Sequence, residues 1–216
     1  MKRRVVLLGP PASGKGTQAE LIQAHYGLPH TSTGAMLREE RRLGTPLGEE
    51  ADRLTRAGQL VPDEIVIGLV GKWLEAHHEA FVFDGFPRTL AQAKALDHLL
   101  EKFGARLDVV FYFRTSFEVI KDRVLNRVTC EKCQRIYRLG MQVESLNETC
   151  SACGGTLKRR NDDSVETLER RMAEYHQKTE PLIEFYRAKG ILVEIDAADR
   201  PEAVFAKISA TLENVA

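Results

Sequence analysis

Short apolar runs separated by longer charged segments make up most of the chain. The runs occupy residues 5–8, 81–83, 107–113 and 191–195, and the segments between them have the apolar spacing of amphipathic helices. Buried strands that alternate with helices favour a parallel sheet with helices on both faces, and such sheets bind ligands at the carboxyl ends of their strands. The pattern therefore predicts an α/β fold with a functional site at one edge of the sheet.

Two segments depart from this alternation. Residues 32–61 are helical in composition but interrupted by glycine and proline, and residues 126–163 are rich in cysteine, glycine, arginine and turn-forming residues. We expect both segments to be insertions over the ligand edge of the sheet. The core domain would then consist of residues 1–31, 62–125 and 164–216.

Length and charge limit the classes of protein to which the chain can belong. It has 216 residues, 43% of them hydrophobic, which is enough for a full core with room for insertions. Lysine plus arginine equals aspartate plus glutamate at 31 each, so no overall positive field favours nucleic acid. The basic start precedes an apolar run too short for an export signal, and no apolar stretch approaches the roughly 18 residues of a membrane helix. We expect a soluble, cytoplasmic monomer with no nucleic-acid or membrane partner.

Residues 9–17 read GPPASGKGT and join the first apolar run to a helix-like stretch at residues 18–26. In a strand, loop and helix of this spacing, successive backbone N–H groups point into one concavity, where the helix N-terminus adds partial positive charge. Lys15 can reach the β- and γ-phosphates, and the glycines beside it let the backbone approach an anion. The alternative is a turn that merely contains glycines. We expect a nucleoside triphosphate to be held by Ala12, Ser13, Gly14, Lys15, Gly16 and Thr17.

The metal end of this loop departs from the usual pattern. Gly16 stands where a serine or threonine usually contacts Mg²⁺, so we expect Thr17 to supply the hydroxyl. The apolar run at residues 81–83 ends in Asp84, and an acid at the tip of a buried strand beside a phosphate loop typically holds Mg²⁺ directly or through water. Asp84 alone could equally be a turn former or a helix cap, but we predict that it is the carboxylate on the metal side.

All four cysteines lie in the second insertion, as CEKC at residues 130–133 and CSAC at residues 150–153. Two CxxC pairs can present four thiolates to one tetrahedral zinc ion, which leaves no open position for water. We therefore expect structural Zn²⁺, with no catalytic role, on Cys130, Cys133, Cys150 and Cys153. Two disulfides or four unrelated core cysteines are the alternatives, which the regular spacing and a cytosolic setting disfavour.

Taken together, the motifs resemble those of adenylate kinases. GPPASGKGT, TSTGAMLR, AGQLVPDEIV, DGFPRTLAQA, DRVLNR, RRNDD, ETLERRMAEYHQKT and a four-cysteine lid occur in the order found in that family, over nearly the whole chain. DGFPRT and STGxMLR are specific to nucleoside monophosphate kinases. The resemblance implies a P-loop NTPase fold, an AMP-binding insertion, a lid that closes over ATP, and reversible phosphoryl transfer from Mg-ATP to AMP that yields two ADP.

The resemblance also implies roles for individual residues. The expected AMP pocket comprises Thr33, Arg38, Gln59, Leu60, Val61, Gly85, Phe86, Pro87, Arg88 and Gln92, together with Arg160 and Arg171. The family's phosphate-clamping arginines correspond to Arg123 and Arg127, on the helix entering the lid, and to Arg160 and Arg171 on the side leaving it. Lid contacts to ATP are expected from Ile136 and Tyr137. The expected catalytic residues are Lys15, Asp84, Arg88, Arg123, Arg160 and Arg171.

Three positions differ from the commonest family pattern. Ala12 replaces a glycine, so we expect its backbone not to need a positive φ, while Ala35 and Asn161 replace an aspartate and a lysine. A UMP or CMP kinase on the same fold is the nearest alternative function, although Thr33, Thr89 and Gln92 favour AMP. A P-loop ATPase that binds nucleic acid through a zinc ribbon is the more distant alternative, against which the neutral charge and DGFPRT argue.

Overall fold

The computed structural model describes residues 3–57, 59–133, 135–160 and 163–214. Helices and strands alternate over most of this length, with a π-helical turn at Tyr175–Thr179 between two helices. The elements are, in chain order, β1 (Arg4–Leu8), α1 (Lys15–Tyr26), β2 (His30–Ser32), α2 (Thr33–Arg42), α3 (Pro46–Arg56), α4 (Asp63–His77), β3 (Phe81–Asp84), α5 (Leu90–Glu101), β4 (Val109–Arg114), α6 (Phe117–Leu125), β5 (Arg127–Cys130), β6 (Ile136–Arg138), β7 (Leu157–Lys158), α7 (Val165–Glu174), α8 (Leu182–Ala188), β8 (Leu192–Asp196) and α9 (Pro201–Asn214).

A five-stranded parallel sheet forms the centre of the molecule, in the order β2-β3-β1-β4-β8. Successive side chains of a strand point to opposite faces. Accordingly, Val6 and Leu8 of β1 lie in one apolar cluster, and Val5 and Leu7 lie in another. Because apolar side chains are buried on both faces, helices must cover both sides of the sheet. The predicted fold class, a parallel sheet flanked by helices, is confirmed.

The strand bounds differ in detail from the apolar runs. Strand β4 begins at Val109, although Leu107 ahead of it is buried, and β8 is displaced by one residue from the predicted run. Strand β2 was not predicted, because its residues His30–Ser32 are polar and only half-buried. The first predicted insertion therefore follows the second strand of the chain rather than the first.

Side chains cap most helices that point towards the ligand edge. Ser32, Thr89, Ser116 and Ser164 each accept a hydrogen bond from the backbone N–H three residues later, which satisfies a group left unpaired at a helix start. Helix α1 begins differently, after Gly14, and no side chain among the described residues caps it. Its first N–H groups thus remain available to an anion.

The two expected insertions contain elements of their own. Helices α2 and α3 pack so closely that a Cβ on Gly48 would overlap the backbone of Arg41. Residues 127–158 include an antiparallel sheet in the order β6-β5-β7, with a separate apolar cluster that contains Val128, Tyr137 and Leu157. The division of the chain into a core, an AMP-binding insertion and a zinc-binding lid stays a prediction.

Candidate functional site

The loop between β1 and α1 is held in a conformation that requires unusual backbone angles. Gly9 has φ of 150° and Gly14 has φ of 101°, and a Cβ on Gly9 would lie 2.8 Å from the carbonyl oxygen of Phe113. Ala12 has φ of 55°, in the left-handed region. The prediction that Ala12 avoids a positive φ was wrong, because the course of the loop, rather than the residue at this position, sets the backbone angle.

Lys15 folds back over this loop. Its Nζ donates to the carbonyl oxygens of Gly9 and Pro10, at 2.8 and 2.7 Å, and to Ser13 Oγ at 3.3 Å. Burial lowers the pKa of Lys15 to about 8, although the carboxylate of Asp84 opposes that change. A phosphate would replace the carbonyl dipoles with full negative charge, so Lys15 lies where it can respond to an anion in the loop.

Asp84 faces the start of α1 across the edge of the sheet. The position that a Cβ on Gly16 would occupy is 3.3 Å from Asp84 Oδ2. Glycine at position 16 therefore leaves space between the loop and the carboxylate, and Thr17 follows in the first turn of the helix. Mg²⁺ prefers oxygen ligands such as a hydroxyl, a carboxylate and water molecules. Thr17 and Asp84 offer the first two, so the residues present fit this ion.

Several cations converge on the same edge. Arg88 and Arg127 both lower the pKa of Lys15. Burial lowers the pKa of Arg88, Arg171 acts in the same direction, and Asp84 opposes both. Like charges at this density are unfavourable unless anions are bound between them. Asp84 thus lies near two of the predicted cations, Lys15 and Arg88, with Arg127 near Lys15 and Arg171 near Arg88.

Arg123 connects three parts of the sheet edge. Its Nη1 donates to the carbonyl oxygen of Ser13 at 3.0 Å, and its Nη2 donates to that of Ala197 at 2.7 Å. Burial lowers its pKa, with Arg138 acting in the same direction. The contact with Ala197, just after β8, identifies a residue near the phosphate loop that no motif indicated.

The expectation that Arg123 and Arg127 form a pair on one helix was wrong. Helix α6 ends at Leu125, and Arg127 is the first residue of β5. Extended backbone directs Arg127 away from the helix axis, and its guanidinium pairs with Asp163 instead. The two arginines approach the phosphate loop from different elements.

The other arginines with predicted roles lie on both sides of this edge. Arg38 is in α2, where its Nη1 is 3.1 Å from the position that a Cβ on Gly34 would take. Arg160 and Arg171 are half-buried, Arg160 between β7 and α7 and Arg171 within α7. Asn161, one of the positions that differ from the family pattern, lies outside the described residues.

Gly85 organises the turn after β3. Its carbonyl oxygen accepts from Thr33 Oγ1 at 2.9 Å and from Arg88 Nε at 2.7 Å. Gly85 has φ of 72°, and a Cβ there would lie 2.8 Å from Arg88 Nη2. Glycine is needed here for both reasons, and the turn continues through buried Phe86 and a cis peptide bond to Pro87.

Gln92 is buried, and both polar atoms of its side-chain amide form hydrogen bonds. Its Oε1 accepts from the backbone N–H of Arg88 at 2.7 Å, and its Nε2 donates to Asp63 Oδ1 at 2.7 Å. The π-helical turn holds the same segment from another side, since Thr179 Oγ1 donates to the carbonyl oxygen of Arg88 at 2.8 Å. Asp63 and Thr179 lie in two of the motifs that carry the family resemblance, but no role was predicted for either, because neither belongs to a phosphate-binding pattern.

A cavity of about 350 Å³ is lined by Asp63 and Thr89, the two residues whose side chains contact Gln92. The first insertion and the start of α4 line one side, and the turn after β3 and the π-helical turn line the other. Of the residues expected to contact AMP, Leu60 and Val61 line it, whereas Gln59 is exposed next to them. The lining residues are Glu50, Leu54, Leu60, Val61, Pro62, Asp63, Thr89 and Lys178.

The four cysteines form one cluster in the small antiparallel sheet. All four thiols are free, and their Sγ atoms lie within 4.8 Å of one another, with Cys130 to Cys153 and Cys133 to Cys150 both at 3.5 Å. A tetrahedral zinc site with Zn–S bonds of about 2.3 Å has S–S edges of about 3.8 Å. The donor set and its spacing fit structural zinc. The alternatives of disulfides or scattered core cysteines do not fit this arrangement.

The lid residues predicted to touch ATP are in two different environments. Tyr137 is buried, and its hydroxyl lies 3.1 Å from Cys150 Sγ and 3.0 Å from Ser151 Oγ. That hydrogen bond is the main cause that lowers the pKa of Cys150 to about 6. Ile136 points the other way, with Cδ1 4.0 Å from the Cβ position of Gly16. Tyr137 thus supports the cysteine cluster, and Ile136 approaches the phosphate loop.

Comparison with known proteins identifies a family for this geometry. The family model described as adenylate kinase matches residues 7–191. The chain is 43% identical to an adenylate kinase of Archaeoglobus fulgidus over 98% of each chain, and 39% identical to one of Syntrophomonas wolfei over 98% of this chain and 99% of the relative. It is 42% identical to an adenylate kinase of Moorella thermoacetica over 97% of each chain. These matches confirm the resemblance seen in the motifs.

Proposed function

The chain belongs to the adenylate kinase family, whose members are nucleoside monophosphate kinases, and from this premise we propose how its own residues carry out the reaction. It transfers the γ-phosphoryl group of Mg-ATP to AMP and so forms two ADP. The observation that carries the proposal is the position of Lys15 and Arg88 near Asp84 at the edge of the sheet, with Arg127 near Lys15 and Arg171 near Arg88. The phosphates of two nucleotides would offset this local positive charge.

The donor site is the loop from Ala12 to Thr17. Uncapped N–H groups at the start of α1 bind the phosphates, and Lys15 moves from the Gly9 and Pro10 carbonyl oxygens to the β- and γ-phosphates. Arg123 holds the loop through the Ser13 carbonyl oxygen and reaches the phosphates from α6. Ile136 and the backbone at Tyr137 cover the nucleotide when the lid closes, which excludes water from the phosphoryl group.

The acceptor site is the turn from Gly85 to Arg88 together with the first insertion. Arg38 and Arg88 bind the AMP phosphate, and Gln92 faces the adenine in the cavity lined by Leu60 and Val61. Guanidinium groups suit this task because they are planar, permanently charged and able to bind phosphate oxygens in pairs. Arg160 and Arg171 stabilise the charge that spreads over the transferring group. The protein itself supplies no nucleophile, because positioning and charge stabilisation are sufficient.

Two metal ions have separate roles in this proposal. Asp84 and Thr17 would hold the Mg²⁺ that accompanies ATP at the metal end of the loop, and the ion would supply positive charge to offset that of the phosphates. Structural Zn²⁺ on Cys130, Cys133, Cys150 and Cys153 stiffens the lid without touching substrate. Tyr137 supports this site through its hydrogen bond to Cys150.

We propose a cytoplasmic monomer that acts on free nucleotides rather than on nucleic acid or at a membrane. One chain supplies both the donor and the acceptor groups, and its charges balance at 31 of each sign. Over the part of the chain that the structure describes, every helix is too short or too polar to cross a membrane. Analytical ultracentrifugation and a polynucleotide-binding assay at low salt test the monomer and the lack of nucleic-acid binding.

A panel of acceptors tests the proposed specificity. The purified protein is incubated with Mg-ATP and AMP, UMP, CMP or GMP in turn, and all nucleotides are resolved by chromatography. We expect AMP to be consumed with formation of two ADP, and little reaction of the other three. Faster consumption of UMP or CMP would favour the pyrimidine kinase alternative. Release of ADP and phosphate without consumption of any monophosphate would favour the ATPase alternative.

A further inference from the structure

The side-chain amide of Gln92 has a fixed orientation. Only 2% of Gln92 is exposed, and the amide lies between a group that only donates and a group that only accepts. The backbone N–H of Arg88 donates to Oε1, and the carboxylate of Asp63 accepts from Nε2, both at 2.7 Å. A reversed amide would set its oxygen against the carboxylate and its NH₂ against the N–H. Reversal would therefore lose two buried hydrogen bonds and create two repulsive contacts.

Asp63 is itself held in place. Its other oxygen, Oδ2, accepts from Thr89 Oγ1 at 2.6 Å, and the same Thr89 oxygen accepts from the backbone N–H of Gln92 at 3.1 Å. Asp63 is also the first residue of α4, where the helix dipole favours a negative charge. The carboxylate thus joins the start of α4 to the start of α5, the helix that carries Gln92.

The two bonds leave a defined pattern on the free edge of the amide. A primary amide has two N–H donors and two acceptor lone pairs, of which one donor and one acceptor are used here. One donor on Nε2 and one acceptor site on Oε1 remain, in an order that cannot reverse. Adenine presents an acceptor at N1 and a donor at N6, which complement that order. A 6-oxopurine presents a donor at N1 and an acceptor at O6, which require the reversed amide.

We propose that Asp63 is a positioning residue that fixes the orientation of the Gln92 amide, and that this orientation selects adenine over 6-oxopurines in the acceptor nucleotide. The inference rests on the proposed function, in which Gln92 faces the base of AMP. An amide free to rotate would suit either edge. Without Asp63, only the backbone N–H of Arg88 would hold the orientation of Gln92, so the discrimination between the two edges would be weaker. Buried groups that would be left unpaired by the wrong base are an effective source of specificity.

Inosine monophosphate isolates this effect, because it differs from AMP only at the N1 and C6 edge of the base. The values of kcat/KM for AMP and for inosine monophosphate are measured with saturating Mg-ATP in the wild type, Asp63→Asn and Glu64→Gln. The carboxamide introduced by D63N can donate or accept, and so it tolerates both orientations of Gln92. Glu64 lies in the same first turn of α4 and is exposed. Its substitution makes the same change of charge and serves as the control.

We expect D63N to reduce the preference for AMP over inosine monophosphate by about tenfold, the effect of one misdirected buried hydrogen bond. The change should come from KM for the monophosphate, whereas KM for ATP should stay within about twofold of the wild-type value. E64Q should keep the wild-type preference. A merely structural role of Asp63 would lower both rates together and leave their ratio unchanged.

A pair of variants at Thr89 gives a second test. If D63N does not fold, this pair tests whether Asp63 orients Gln92. Thr89→Val removes the hydroxyl that holds Asp63 Oδ2 and should reduce the preference, whereas Thr89→Ser retains the hydroxyl and should restore it. An unchanged preference in a folded D63N, or in a folded T89V if D63N does not fold, would overturn the inference. Absence of any wild-type preference for AMP would instead contradict the proposed function.

Discussion

Arg127 and Asp163 form a bidentate ion pair across the base of the cysteine-rich segment. Arg127 Nε lies 2.8 Å from Asp163 Oδ2, while Nη2 bonds to Oδ1, and the side chains are only 13% and 2% exposed. Arg127 begins β5, and Asp163 directly precedes Ser164, the cap of α7. The pair therefore fastens the two ends of the predicted lid to each other.

Removing one partner of this pair should destabilise the protein. Because Asp163→Ala would remove the carboxylate that pairs with a buried guanidinium, we expect the free energy of unfolding to fall by about 3 kcal/mol. Urea denaturation at neutral pH measures the loss. Asp122→Ala is the control, since it breaks the pair between Asp122 and Arg138, whose side chains are 48% and 38% exposed. That exposed pair should contribute less than about 1 kcal/mol, and equal losses in the two variants would contradict the assignment.

Lys15 should make the stability of the free protein depend on pH. Burial lowers its pKa from 10.5 to about 8 in the folded state, so between these values the unfolded chain binds more protons. The cost of burying the charge is fully present below pH 8 and disappears as the pH rises towards 10.5. The free energy of unfolding of the wild type should therefore rise with pH relative to that of Lys15→Met across this window.

Paired urea titrations at several pH values between 7.5 and 10 measure this difference. The variant is the matched reference, because all other titrating groups are common to both proteins and cancel. A difference that stays constant over the window, or that changes in the opposite direction, would show that the ammonium group of Lys15 is not desolvated.

The glycine at position 85 should matter more for AMP than for folding. Gly85→Ala places a methyl group 2.8 Å from Arg88 Nη2, which is too close for the guanidinium to keep its position. We expect KM for AMP to rise about tenfold, since one charge-assisted hydrogen bond is displaced, while KM for ATP is unchanged. Steady-state kinetics with each substrate varied in turn provide the measurement.

Gly104→Ala is the control for that experiment. Gly104 also has a positive φ, 62°, but no heavy atom lies within 4 Å of its Cβ position among the described residues. Both variants should lose roughly 1 kcal/mol of stability from the left-handed backbone, and only G85A should change KM for AMP. Similar KM values for AMP in the two variants would show that Arg88 does not bind AMP.

Loss of zinc should affect stability more than catalysis. Cys130→Ser removes a ligand that is fully buried, and the lid has only a small apolar cluster to replace the metal. We expect the variant to lose bound zinc, measured by atomic absorption, and its Tm to fall by about 5–10 °C. It should keep substantial turnover at low temperature. Complete loss of turnover in a variant that remains folded would contradict a purely structural role.

The sequence predicts those parts of the fold in which a single kind of interaction determines the local structure. Strand β1 follows from its four apolar residues, because a strand at the centre of a sheet is buried on both faces. The cysteine cluster follows from spacing alone, since two CxxC pairs have few other uses. Strand β2 could not be predicted in this way, because a three-residue polar strand owes its conformation to pairing with β3.

The site was predictable in its motifs but not in its supporting contacts. Asp63, Asp163 and Thr179 are 29, 36 and 91 residues distant from the partners that they hold, and no local pattern records such distances. At Ala12 the residue type predicts the wrong backbone angle, since its φ is 55°. A closed loop with fixed ends determines φ, and alanine tolerates the left-handed region at a modest cost.

Transfer of a labelled phosphoryl group tests the central claim most directly. The protein is incubated with AMP and Mg-ATP labelled with ³²P at the γ position, and initial products are separated before the reverse reaction redistributes the label. We expect the label to appear in the β-phosphate of newly formed ADP, with little free phosphate, and K15M to show almost none of this transfer. Label released as inorganic phosphate, or ATP consumed while AMP remains intact, would contradict it.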